Sequence, residues 1–257
     1  MASERENYWS TPPAEGPRWI PIPKRVRVDF GGATVADSRR TRLLRSLPPV
    51  YYFPEEDVRM QALISSEHTS QQEGLGRAAF WHVRGDDRQT EDAAWQIQEP
   101  HEKAPDGIQE YIAFDWEAMD AWWEEEEQVR VHPRDPFNRI DCLHSARQIR
   151  VEINGVKVAE STRAVLLFET GLPIRYYLPR QDLNLRYFEP TDLVTRCPYK
   201  GEAHYYSAVI QGEEHQNIAW TYPYPNPNLA KIKDRVAFYT EKLDGVFVDG
   251  QQLPAGS

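Results

Sequence analysis

Lys24-Arg25-Val26-Arg27-Val28-Asp29-Phe30-Gly31-Gly32 and Arg147-Gln148-Ile149-Arg150-Val151-Glu152-Ile153-Asn154-Gly155 are one pattern written twice. In the first, Val26, Val28 and Phe30 alternate with Arg27 and Asp29, the period of a strand with one buried face. Gly31-Gly32 is a two-residue hairpin signal, and Asn154-Gly155 stands in its place in the second. The match runs on: Val35-Ala36-Asp37-Ser38 lies over Val158-Ala159-Glu160-Ser161, Arg40 over Arg163, and Leu43-Leu44 over Leu166-Leu167. After a two-residue difference in loop length, Val50-Tyr51-Tyr52-Phe53-Pro54 lies over Arg175-Tyr176-Tyr177-Leu178-Pro179. Asp57 then falls on Asp182, Gly76 on Gly201, Phe80-Trp81 on Tyr205-Tyr206, Ala94-Trp95 on Ala219-Trp220, and Ile112-Ala113-Phe114 on Val236-Ala237-Phe238. Matches of this density are an internal duplication.

Each copy reads as mainly β within an α+β class: an opening hairpin, a Tyr-Tyr strand, an aromatic strand, a short Ala-Trp strand, and one helix. Gln109 to Glu127 carries Ile112, Trp116, Met119, Trp122 and Trp123 at helical spacing, and Leu229 to Lys242 carries Ile232, Val236 and Tyr239. Glu124 to Glu127 reads as a solvated helix end. Residues 1–23 are rich in proline and form an extended arm rather than an element, with Trp19 and Ile20 pinning it to a surface. The expected organisation is therefore arm (1–23), first copy (24–131), linker (132–146), second copy (147–250) and tail (251–257).

Eight Trp, 13 Tyr and 9 Phe among 257 residues argue for packed cores. A formal net charge of -10 disfavours a nucleic-acid partner, which needs a basic face. No apolar leader opens the chain, and no stretch approaches the ~20 apolar residues of a membrane span. The chain reads as soluble and cytoplasmic, with no membrane partner and no signal for an oligomeric state. Cys142 and Cys197 form neither a disulfide framework nor a Cys-x-x-Cys pair, so no metal is expected. Gly-x-Gly-x-x-Gly, Walker, Gly-x-Ser-x-Gly and His-Glu-x-x-His motifs are all missing, and no cofactor is expected.

The duplication supplies an internal control. Residues shared by both copies are explained first by the fold; residues that differ mark specialisation. Thr195 to Tyr206 differs most: Arg196 faces Gln71, Cys197 faces Gln72, Lys200 faces Leu75 and His204 faces Ala79. Cys197, with cationic Arg196 and Lys200 close in sequence, has neighbours that favour a thiolate, and a Cys/His couple suits group transfer. The competing reading is a buried, inert cysteine in the second copy, facing drift of an exposed loop, Glu67 to Gly76, in the first. The candidate catalytic residues are Cys197, Lys200 and His204; the candidate ligand-binding residues are Arg163, Arg175, Tyr177, Arg196, Tyr199, Tyr206 and Trp220. Arg163 has a counterpart in Arg40, which also suits a structural salt bridge; Arg175 faces Val50 and is the better functional candidate. Trp220-Thr221-Tyr222-Pro223-Tyr224-Pro225 could line a pocket for a flat ligand or pack on a sheet rim.

Val158 to Arg163, Leu167 to Pro173, Arg175 to Pro179, Arg196 to Ala203 and Val246 to Gly250 resemble recurring phrases of the domain of unknown function 427 family. Met119 to Trp122 and His132 to Pro136 are similar to it too, and the resemblance spans nearly all of residues 24–250 in that family's tandem form. It implies a small, strongly bent β domain of the β-tent (Mss4-like) group, present in two copies. Zinc is not carried over, because the paired Cys-x-x-Cys ligands of β-tent relatives are missing. Nor is nucleotidyl transfer, a label the family sometimes bears, because no Gly-Ser followed by an Asp-x-Asp pair is present to hold magnesium. Two functions stand: a protein with a small-molecule pocket in the second copy, as a cofactor-independent enzyme using Cys197 or Lys200, or a non-catalytic binding module built from a pseudo-symmetric pair.

Overall fold

A computed structural model describes residues 19–46 and 48–254. The arm's first eighteen residues and the last three of the tail lie outside the described residues. The chain divides between Asp135 and Pro136 into two compact units. The first holds β1 (Trp19–Pro21), β2 (Val26–Phe30), β3 (Ala33–Ser38), β4 (Arg42–Leu44), β5 (Val50–Pro54), β6 (Leu63–Gln72), β7 (Gly76–Arg84), β8 (Gln89–Pro100), β9 (Tyr111–Phe114), β10 (Ala121–Glu124) and β11 (Glu127–Val129). The second holds β12 (Ile140–His144), β13 (Ile149–Ile153), β14 (Val156–Ser161), β15 (Val165–Glu169), β16 (Arg175–Pro179), β17 (Phe188–Cys197), β18 (Gly201–Ile210), β19 (Glu213–Thr221), β20 (Arg235–Phe238), β21 (Gly245–Val248) and β22 (Gln251–Gln252).

Each unit pairs its strands into a seven-stranded and a four-stranded antiparallel sheet. The orders are β1-β4-β5-β9-β8-β7-β6 with β11-β10-β2-β3, and β12-β15-β16-β20-β19-β18-β17 with β14-β13-β21-β22. The duplication is thus complete in topology and extends to defects. The opening hairpins bulge at Val28/Asp29 and at Val151/Glu152, and the edge pairs β6–β7 and β17–β18 lose register at Ser65/Thr69 and Pro190/Val194. Asn154 and Gly155 turn with φ of 50° and 69°, the left-handed geometry that a two-residue hairpin demands.

Strand alternation divides the core. Tyr51 and Phe53 join Val26, Val28 and Val35 between the two sheets, while Tyr52 points to the other face with Leu44, Ala78 and Ile97. The second unit repeats this, with Tyr176 and Leu178 on one side and Tyr177 on the other. On that far face the Trp95 indole donates to the Tyr52 hydroxyl at 3.2 Å, and Trp220 to Tyr177 at 3.1 Å; both ring pairs stand edge-on at 6.4 Å. A second repeated brace is polar. Ser38 donates to Asp57 at 2.7 Å and Arg40 pairs with it at 2.6 Å; Ser161 and Arg163 do the same to Asp182 at 2.6 and 2.5 Å.

The helix expected of each copy is reduced to 3-10 turns, including Ile108–Glu110 and Pro227–Ile232. Ile112, Ala113 and Phe114 are all buried because β9 lies between β5 and β8 and uses both faces. Asp115 accepts the Glu117 N–H at 3.0 Å, a local turn that competes with helix. Glu124 to Glu127 is a hairpin turn instead of a helix end, with Glu125 at φ 52°, and its carboxylates pair with Lys24 and Arg27. Trp19–Pro21 is not a free arm: it is an edge strand, with Ile20 buried against the core. Ile140–His144, placed in the linker, is the corresponding edge strand of the second unit. Glu67 to Gly76 is mostly strand β6, not a loop, and the Ala-Trp strand β8 runs to twelve residues.

Gly76, with φ of 118°, has space for no side chain: a Cβ would stand 2.1 Å from the Glu99 carbonyl oxygen. Gly76→Ala is expected to cost about 3 kcal/mol, whereas Gly32→Ala, where nothing lies within 4 Å, costs about 1 kcal/mol for its positive φ alone. Chemical denaturation of both variants checks the difference.

Candidate functional site

The hairpin β17–β18 decides what the candidate residues can do. Its register sets Thr195 opposite Ala203 and Cys197 opposite Gly201 on one face, and Arg196 opposite Glu202 and Val194 opposite His204 on the other. Cys197 therefore shares the inward face with buried Ala203 and Tyr205. Arg196 and His204 lie outward, and both bind Glu202, at 3.0 and 3.2 Å. The Cys/His couple expected from the sequence is not formed, and the Arg196 charge is directed away from the thiol.

Lys200 sits in the turn between these strands. That turn is held by Asn226, whose side-chain amide donates to the Pro198 and Tyr199 carbonyls at 3.1 and 2.8 Å, while its backbone N–H donates to Lys200 O at 3.0 Å. Gly201, at φ 105°, lets the chain pass Tyr224, as the aligned glycines imply. The Lys200 ammonium is paired with the Glu169 carboxylate, and both side chains are largely buried, 13% and 6% exposed. Asn138 adds a bond to the other Glu169 oxygen at 3.3 Å. Glu169 ends β15, next to the opposite edge of the same sheet, so this pair ties the two ends of the sheet together.

The first copy fills the equivalent place with apolar groups. Leu75 stands for Lys200, Ile97 for Tyr222 and Trp19 for Cys142, and Ser46 follows Leu44 as Glu169 follows Leu167. Cys142 and Glu169 are members of this cluster that sequence reasoning passed over, the signal lying in their counterparts Trp19 and Ser46, while Tyr222 belongs to the aromatic run read as a pocket wall or rim packing and is core. Burial pushes the Cys142 thiol up, with nearby Lys231 pulling it part of the way back. Burial also raises the Tyr177 and Tyr222 phenols well above the ordinary range.

Arg175 is likewise committed. Its guanidinium forks onto Glu241 at 2.5 and 2.9 Å and lies over the Trp220 and Tyr239 rings at 5.5 and 5.8 Å. Burial alone would raise the Glu241 carboxyl, but the hydrogen bonds from Arg175 hold it below its ordinary value. Tyr177 and Trp220 are core residues, 1% and 7% exposed, and Arg163 belongs to the repeated brace on Asp182. Tyr199 is half-buried in the turn.

Tyr206 alone among the candidates lines a described cavity. It faces Arg180, Leu183, Leu185, Phe188, Pro190 and Val236 around about 180 Å³. In the first copy a wider groove of about 740 Å³ runs past Glu55, Val58 and Met60, the residues at the places of Arg180, Leu183 and Leu185. The two 3-10 turns involved, Glu55–Asp57 and Arg180–Asp182, are anchored alike, since Val58 bridges Ala36 and Leu183 bridges Ala159. Among the described residues no three His, Cys, Asp or Glu side chains are placed to share a metal ion, and no helix is long and apolar enough to cross a membrane.

Two predictions test these assignments. Lys200→Ala strands a buried carboxylate and is expected to cost about 3–5 kcal/mol, while Lys200→Leu with Glu169→Ser, copying the first copy, recovers most of it in chemical denaturation. Because the folded Glu241 carboxyl is depressed, the stability it contributes is present above its ordinary value of 4.5 and lost as pH falls through the lower folded value. Glu241→Gln should flatten that acid limb, read as the denaturation midpoint against pH.

The family described as Domain of unknown function (DUF427) matches this sequence twice, over residues 18–125 and 141–249. Among curated proteins, none matches. Each family match takes in the seven-stranded sheet of one unit and all of its smaller sheet but the last strand, β11 or β22, and together the matches cover most of the chain. The chain belongs to the DUF427 family, as a tandem two-copy member.

Proposed function

We propose that this protein is a non-catalytic ligand-binding protein, with a small-molecule pocket in its second copy beside the 3-10 turn that follows Pro179. The observation that carries the reading is a cavity beside the same 3-10 turn in both copies, Glu55–Asp57 and Arg180–Asp182, with Glu55, Val58 and Met60 in one wall at the places of Arg180, Leu183 and Leu185 in the other. A cavity beside one turn in each copy, with the remaining walls different, fits a binding site whose position comes from the fold and whose lining is each copy's own. The bent seven-stranded sheet, facing a four-stranded one, supports the β-tent plan that the family resemblance implies. A cytoplasmic setting without a nucleic-acid partner agrees with the formal charge of -10.

An enzyme working through Cys197 or Lys200 has less support. Lys200 is held by Glu169, and His204 lies on the far face of the hairpin from Cys197. Alkylation separates the two. Under the binding reading, iodoacetamide modifies Cys197 near neutral pH no faster than it modifies an unstructured peptide thiol. A rate about a hundredfold above that peptide would overturn it in favour of a nucleophile.

A further inference from the structure

We infer that the ligand of the second copy's cavity is a small organic carboxylate: one anionic head on a short apolar body. The inference rests on the binding role proposed above and adds the chemical class. Leu183 and Val236 are buried, and Phe188 and Tyr206 pack against the same cluster, so these walls give the body an apolar lining. The space between them, about 180 Å³ and open on the side of Arg180, Leu185 and Pro190, sets its size. An apolar cavity of roughly 150 Å³ accommodates a benzene-sized body, which limits the ligand to about six to eight non-hydrogen atoms beyond its head group.

The head group is set by Arg180. Its guanidinium stands 5.9 Å from the Tyr206 ring centroid, at the rim. Among the described residues no carboxylate pairs with it, a state it shares with Arg186 and Arg235 while Arg163, Arg175 and Arg196 each have a partner, and of these arginines only Arg180 lines the cavity. A fork of N–H donors beside an apolar recess matches a carboxylate in both geometry and charge.

The first copy argues the same way by contrast. Where Arg180 stands, it has Glu55, whose carboxylate is fixed by the Gln96 amide at 3.1 Å. The groove there is about four times larger and carries Glu55, Glu56 and Glu110, and its one arginine, Arg40, is already paired with Glu56 and Asp57. An arginine without a carboxylate partner therefore lines the cavity of the second copy and not the groove of the first.

The test uses the full chain with three six-carbon probes: hexanoate, hexanol and hexylamine. Methyl NMR shifts of Leu183, Leu185 and Val236 report occupancy. Hexanoate is expected to saturate these shifts and to bind about tenfold more tightly than hexanol or hexylamine. Arg180→Lys, which keeps the charge and loses the fork, should weaken hexanoate about fivefold, and Arg180→Glu, which installs the first copy's charge, should lose it at least tenfold while gaining hexylamine. If hexanol and hexanoate bind wild type equally and Arg180→Glu changes neither, the carboxylate class is wrong while the pocket stands. If no probe moves those methyls, the binding reading itself falls.

Discussion

Closing a seven-stranded sheet onto its own far face is the constraint on which each unit depends. A sheet bent this strongly must bring the turn at one edge onto the strands at the other, and something must seal the meeting point. In the second unit the seal is ionic, Lys200 against Glu169. In the first it is apolar: Leu75 closes over Leu44, Tyr52 and Ile97, and Trp19 stands edge-on to Tyr52 at 5.2 Å and to Tyr111 at 5.3 Å. One backbone accepts both chemistries. A buried ion pair gains little net stability over packed apolar groups of similar volume, yet losing one partner is expensive. The seal therefore fixes both residues together without making either available for reaction.

That division of labour separates the reactive-looking residues from the cavity. The far face of the second sheet carries Tyr177, Trp220, Tyr222 and the ionic seal; the near face, toward the four-stranded sheet, carries Leu183, Val236 and the flanking Phe188 and Tyr206. The candidate reactive residues belong to the far face or to the outside of the hairpin. The cavity lies at the rim of the near face, where a bulge and a 3-10 turn leave side chains without a strand to pack against. Polar groups that look reactive as a string of letters are here largely used up by one another.

The plan of the molecule was legible because duplication repeats every signal. Alternation in Val26 to Phe30 and Ile149 to Ile153, the hairpin turns and the Tyr-Tyr strands all stand where the pattern puts them. Arg163 was readable as a brace because Arg40 stands in its place. The helices failed because Ile112, Trp116, Met119 and Trp122 satisfy a helical period by coincidence, and pairing between β5 and β8 outweighs local preference. Glu169 stayed hidden since its partner is thirty-one residues away, and only the bend of the sheet brings them together. Arg180 at the cavity rim stayed hidden because the lack of a carboxylate partner among the described residues is something no linear pattern expresses.

The lost register in the edge pairs has a consequence of its own. β6 and β17 are ten-residue outer strands, and β17 exposes Leu193 and Val194, a combination that invites another chain to add itself to the sheet. In both units the bulge falls near the middle of that strand, and in the second it begins at Pro190, which has no N–H to offer. Each outer strand is thereby cut into two short lengths of unequal twist, too brief to template a neighbour. An irregularity inherited by both halves so guards a strongly sheet-forming protein against fibril growth and strand exchange.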